Sequence, residues 1–211
     1  MKNLIIAAFL TVTALSNAGA QTFDLSKEVK ENKLVSASRR TKLSVSDESR
    51  HAVSVLGITW LTGVTFTEGT IELDIKGNDG MQQTFPGVVF HGFDTTTHDV
   101  VYFRPFNFQS HDPVRKIHAV QYVSHPDFPW DVLRETKNGQ YEKAVTPAPG
   151  ANDWFHARIV VKGKEINVYV NDSKVPSLTV TKLNDRTTGK IGLWCDGSSR
   201  PGDFANLVIR K

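Results

Sequence analysis

Between Trp154 and Val170 the chain carries two runs, WFHARIVV and EINVYV, in which apolar and polar residues alternate around Lys162-Gly-Lys. Alternation with period two, rich in β-branched residues and broken by a glycine turn, is the signature of a half-buried β-hairpin and conflicts with any helical assignment. The same rhythm recurs upstream in Gly69-Thr-Ile-Glu-Leu-Asp-Ile, Gly87-Val-Val-Phe-His-Gly-Phe, Asp99-Val-Val-Tyr-Phe-Arg and Ile117-His-Ala-Val-Gln-Tyr-Val. It returns downstream in Gly189-Lys-Ile-Gly-Leu-Trp-Cys and Phe204-Ala-Asn-Leu-Val-Ile. No window of a dozen residues shows a helical stripe. About a dozen short strands punctuated by Gly, Asn and Asp predict an all-β, two-sheet antiparallel sandwich.

The first twenty residues read differently. Lys2, the apolar run from Leu4 through Leu15, and the small-x-small pattern Ala18-Gly-Ala20 form a secretory signal peptide cleaved before Gln21. The apolar run is shorter than the ~20 residues a bilayer span needs, so a membrane-spanning chain is not expected. The organisation predicted is a signal peptide over 1–20 and a single domain over 21–211. The protein is thus expected to be exported, whether to a periplasm, the cell surface or the medium. A single cysteine, Cys195, excludes an internal disulfide and fits a buried thiol.

Formal net charge is +3, or +2 without Lys2, and the charges are scattered. Arg39-Arg40 is the one tight basic pair, and acids follow it closely. No basic stripe interleaved with aromatics exists, which argues against a nucleic acid partner. Nothing in the sequence marks a protein partner.

The segment WFHARIVVKGKEINVYVND, then SLTV, then TGKIGLWCDGSSRPGDFANLVI resembles the closing strands of LamG-like and concanavalin A-like domains. It is most similar to the 3-keto-disaccharide hydrolase-like domains of exported bacterial proteins. These share W-x4-I-x-V-x-G-x-x-I-x-V, then G-x-I-G-L, then F-x-N-[LI]-x-I. The resemblance covers residues 150–211, with support from GTIELDIKG and GVVFHGF. It implies a concanavalin A-like jelly roll and carbohydrate as ligand. Because such folds host both lectins and hydrolases, binding and glycoside hydrolysis both stay open.

Strand parity then selects residues. In Ile191-Gly-Leu-Trp-Cys-Asp, the core set Ile191, Leu193 and Cys195 leaves Trp194 and Asp196 on the opposite, concave sheet face. Tyr102 pairs with Arg104 against Val101 with Phe103, and His118 pairs with Tyr122 against Gln121. Parity does not say which of these sets faces the core. A sugar site needs a flat apolar plate for a pyranose ring and planar polar groups for vicinal hydroxyls. Trp194 and Trp130 are expected to stack, and Arg104, Gln121, His118 and Asp196 to bind hydroxyls. Two long segments rich in Pro and aromatics, 105–116 and 124–151, break the strand rhythm, and the loops 105–116 and 124–135 are expected to join the concave face in binding.

For hydrolysis, Asp196 or Glu135 and a histidine such as His118 are the proton-transfer candidates. Glu72 and Asp74 alternate as in endo-glucanases on this fold, but Lys76 or Gly77 stands where a third acid would be, so they are assigned to a solvent face. Five of the seven histidines fall between 91 and 125, without metal-ligand spacing, so no zinc site is expected. No cofactor is predicted. A structural calcium is the one metal for which Gly77-Asn-Asp-Gly, Asp185 and Asp203 offer oxygen donors, without EF-hand ordering.

Overall fold

A computed structural model describes residues 19–197 and 200–211. Almost all of the expected signal peptide lies outside them. The described chain opens with β1 (Ala20–Phe23), α1 (Leu25–Lys30), β2 (Leu34–Ser36) and β3 (Lys42–Asp47). Then follow β4 (Ala52–Leu61), β5 (Thr65–Phe66), β6 (Gly69–Lys76), β7 (Phe85–Gly92) and β8 (His98–Phe103). Next come α2 (Pro113–Lys116), β9 (Val120–His125), α3 (Trp130–Thr136) and β10 (Glu142–Lys143). The last third holds β11 (Trp154–Lys162), β12 (Glu165–Val170), β13 (Leu178–Thr181), β14 (Gly189–Asp196) and β15 (Gly202–Arg210).

Every pairing between these strands is antiparallel. One sheet runs β3-β4-β15-β6-β11-β12-β13, with β1 beside the far half of β15. The other runs β10-β9-β8-β7-β14-β4, with β2 on β4 and β5 on β14. β4 belongs to both. Its first half pairs with β3 and β15, and its second half with β14 and β2. The handover falls at Gly57, whose φ of +100° is open to glycine and strained for other residues. This is how a sandwich corner is made by a strand that changes sheets.

Alternation decides the core. On β6, Ile71, Leu73 and Ile75 are buried, and on β11 Phe155, Ala157, Ile159 and Val161 are buried. They meet Val88 and Phe90 of β7, Val101 and Phe103 of β8, and Ile191, Leu193 and Cys195 of β14 in one apolar cluster. Phe155 sits edge-on to Phe103 at 5.0 Å and to Phe108 at 5.2 Å between ring centroids. Fully burying such a ring contributes about 1.5–3 kcal/mol. The hairpin expected at Lys162-Gly-Lys is present: Lys162 pairs with Glu165, and Gly163 takes a φ of +56°.

On the outer face of the first sheet, Asp74 accepts a hydrogen bond from Asn206 at 2.7 Å and contacts His156 at 2.9 Å. Glu72 pairs with Arg210. Both acids thus belong to a polar surface on the far side of the sandwich from the site described below. Cys195 is buried, and burial pushes its thiol up to about 12, as an inert core thiol requires.

Several sequence expectations are revised. The sequence shows no helical stripe, yet residues 21–50 hold α1 as well as strands. Helix α1 is six residues long and capped by Asp24, whose side chain accepts from Lys27 N. The segments 105–116 and 124–151 contain α2 and α3, of four and seven residues. Helices this short leave no stripe in a dozen-residue window, because α3 buries only Leu133 fully. The expected pairing of His118 with Tyr122 on one strand face also fails. β9 begins at Val120, so His118 lies in the turn before it, while Tyr122 points into the core.

Candidate functional site: a cleft on the outer face of the second sheet

The second sheet is apolar on both faces. Its inner residues feed the core, while Val89, Val100, Tyr102 and Val123 point outward and pack with Trp60 and Leu133 of α3. Because α3 and neighbouring loops cover only part of this outer face, a cleft of about 920 Å³ remains on it. Such a volume lies toward the top of the range of about 300–1,000 Å³ typical of small-molecule sites.

The floor is aromatic. Trp194 of β14 lies tilted against Tyr102 of β8, 5.0 Å between centroids. Trp130, the first residue of α3, stands half exposed at the rim with the Arg134 guanidinium 5.1 Å from its ring. These two indoles are the apolar plates of the cleft. Asp196, two residues beyond Trp194 on the same strand face, is exposed and lines it too.

Behind the floor is a charged network. Arg104 is 7% exposed. Its Nη2 donates to the Tyr102 hydroxyl and to Gln121 Oε1, each at 2.6 Å, and Tyr102 itself donates to Gln121 at 2.7 Å. The charge is answered by Glu142 of β10, which is 2% exposed. Glu142 Oε2 lies 3.4 Å from Arg104 Nη1 and 3.0 Å from Arg134 Nη2. His118 Nδ1 stands 2.8 Å from the same oxygen, close but outside hydrogen-bonding alignment. One buried carboxylate therefore fixes two guanidiniums that line the cleft and stands beside the imidazole of a third lining residue, His118.

A second pair is neutral. His98 of β8 and His125 of β9 are directly opposed across the ladder, with ring centroids 4.9 Å apart, and both line the cleft. Burial, aided by His125, pulls His98 down to about 4, and burial lowers His125 as well. At neutral pH these rings carry no charge. The unfolded chain protonates such a ring near pH 6.5, but the fold refuses the proton until about pH 4. Stability is therefore expected to fall as pH drops through that window. Urea midpoints across it should slope less in His98→Asn. Equal slopes in both proteins would mean that folded His98 is protonated.

Of the residues selected from sequence, Trp194, Trp130, Arg104, His118 and Asp196 line this one cleft. Gln121 does not. It is buried beneath Tyr102, with Oε1 taken by Tyr102 and Arg104, so it positions Arg104 and leaves hydroxyl binding to others. Glu135 is exposed on α3 and is not among the lining residues. Asp185 is ion-paired to Lys164, Asp203 accepts from Ser54, and among the described residues no three metal-binding side chains converge. Sequence reasoning missed Glu142, Arg134 and the His98–His125 pair. The histidines were visible as a crowd, but their pairing depends on the β8–β9 register. Glu142 carries no local signal, because its partner Arg104 is 38 residues away.

The molecule is thus a two-sheet antiparallel sandwich with an aromatic, arginine-backed cleft on one sheet face. The chain belongs to the 3-keto-α-glucoside-1,2-lyase-like domain family, whose profile matches residues 20–210. No curated protein matches it. Among solved structures it is similar to the carbohydrate-binding module CBM66 from Bacillus subtilis, at 14% identity and TM-score 0.56, covering 84% of this chain and 95% of that one. A protein of unknown function with a galectin-like fold, also from Bacillus subtilis, matches at 11% identity and TM-score 0.59, covering 90% and 96%. A candidate glycosyl hydrolase from Parabacteroides distasonis matches at 13% identity and TM-score 0.52, covering 80% and 82%. At these identities the likenesses show the fold.

Proposed function

We propose that residues 21–211 form one exported domain that binds a sugar in the cleft on the second sheet. The observation that carries this reading is the combination in one cleft of two indole plates, Trp194 and Trp130, with guanidiniums held rigid from behind by Glu142. Apolar C–H faces of a pyranose stack on the former, and vicinal hydroxyls accept from the latter. Export rests on the pattern of residues 1–20. The sugar-binding module and hydrolase among the structural neighbours support carbohydrate as the ligand class.

A second reading, cleavage, is favoured by the neutral histidine pair. Hydrolysis by paired carboxylates finds little support, because among the described residues Asp196 is the only carboxylate lining the cleft. Elimination needs none. In a 3-keto-α-glucoside the C3 carbonyl acidifies the C2 proton. A neutral His125 takes that proton, the electron pair forms the C1=C2 double bond, and the glycosidic oxygen leaves as an alcohol after protonation from His118 or water. Arg104 and Arg134 would hold the enolate oxygen.

The test is a glycan array that includes 3-keto-α-glucosides, with both retention and released product scored on the protein from Gln21 onward. Retention without release assigns binding. Release with a C2–H that exchanges in D2O, lost in His125→Asn, assigns elimination. Neither retention nor release across the array overturns the sugar reading.

A further inference from the structure

Beside the cleft lies a second depression, of about 570 Å³, lined among others by Asp79, Gln109, His111, Asp112 and Asn152. Two residues, Phe106 and Arg115, line both cavities. They form a common wall contributed by the segment Pro105–Lys116, which sequence alone marks as a site-bordering loop. We infer that this depression is a second sugar subsite, so that the ligand is an oligosaccharide running from the Trp194 floor past Arg115 into it. The inference rests on the sugar reading of the cleft and adds the length of the ligand to it.

The wall is built to stay in place. Pro105–Asn107 is a 3-10 turn, and α2 follows it, capped by Asp112 Oδ1 accepting from Val114 N at 2.8 Å. Arg115 reaches back from α2. Its Nε donates to Asn107 Oδ1 at 3.3 Å and its Nη2 to the Phe106 carbonyl at 3.2 Å. Both acceptors are neutral, and no ion pair involves Arg115 among the described residues. A guanidinium has five N–H donors, so the remaining donors of Arg115 are oriented and open to a ligand on either side of the wall. Arg104 and Arg134 differ in this respect, since Glu142 takes part of their capacity.

The far wall is anchored as well. Asn152 Oδ1 accepts from Asp79 N at 3.1 Å, tying the loop after β6 to the loop before β11. The side chains facing one another across the depression therefore mix acceptors (Asp79, Asp112) with amides and an imidazole (Gln109, Asn152, His111). Phe106 is the one Phe, Tyr or Trp among the described residues that line it. This chemistry suits a sugar held by its hydroxyls, the natural complement to a first unit held by ring stacking. A ligand confined to the cleft would leave it untouched.

Titration calorimetry with length-graded malto-, xylo- and arabino-oligosaccharides tests the inference. Affinity should rise about tenfold when the unit that passes Arg115 is added, which is about 1.4 kcal/mol. The double variant Gln109→Ala/His111→Ala changes two exposed side chains outside the cleft. It should bind the shorter member as the parent does and lose the increment. An affinity that ignores length, or an increment that survives in the variant, overturns the subsite and leaves the cleft reading intact. Equal weakening of short and long ligands also overturns it, because the depression would then be acting on the cleft. If no series binds at all, the subsite falls, and the sugar reading stands or falls with the array that carries 3-keto-α-glucosides.

Discussion

Replacing Glu142 with alanine is expected to destabilise the fold by about 3–5 kcal/mol, the cost of stranding a buried charge by removing its partner. The carboxylate is 2% exposed and, among the described residues, is the only one ion-paired to Arg104, itself 7% exposed. Arg104 cannot turn out to water without giving up Tyr102 and Gln121, each at 2.6 Å. Arg134 is more exposed and can relax, so most of the cost falls on Arg104. For a domain of this size the melting temperature should drop by about 6–20 °C. Glu142→Gln keeps the volume and an acceptor oxygen, and should recover part of the loss. A shift of only a degree or two in the alanine variant would show that water answers the Arg104 charge, and the view of Glu142 as organiser of the cleft would fail.

The position of Glu142 marks where the sequence stops being readable. Alternation on β6, β11, β12 and β14 is set by one buried face, so Ile71, Leu73, Ile159 and Leu193 could be assigned to the core without knowing the topology. The same parity puts Trp194 and Asp196 on the opposite face, where the cleft lies. On β8 and β9 parity is silent, because both faces are covered: Val101 and Phe103 by the other sheet, Val100 and Tyr102 by Trp60 and Leu133. A strand buried on both sides reads as a continuous apolar run. The roles of Arg104 and Gln121 were therefore undecided until the register placed Tyr102 opposite Gln121 and Glu142 opposite Gln121 in turn. Glu142 itself sits on a two-residue strand at the end of a long segment with no periodicity of its own. What organises the cleft is thus a cross-strand neighbourhood, and no spacing along the chain encodes it.

The second large effect concerns the ligand. Trp194→Ala should weaken sugar binding by at least 2 kcal/mol, roughly thirtyfold, the size expected of an aromatic residue at the centre of a binding site. Trp194 lies on the cleft floor with Tyr102 beside it at 5.0 Å and Asp196 beyond it. Its ring offers an apolar face that no neighbour on β14 can replace, because Leu193 and Cys195 point into the core. The same location keeps the stability cost modest, since the indole is half-buried on the outer face and its loss opens no cavity between the sheets. Trp194→Phe retains a smaller plate and should retain most of the affinity, whereas Trp130→Ala, at the half-exposed rim, should cost less than Trp194→Ala. Circular dichroism and thermal melts on all three separate folding from binding. Unchanged affinity in a folded Trp194→Ala would remove the ring-stacking geometry. Binding would then have to come from the hydrogen bonds of the arginines alone.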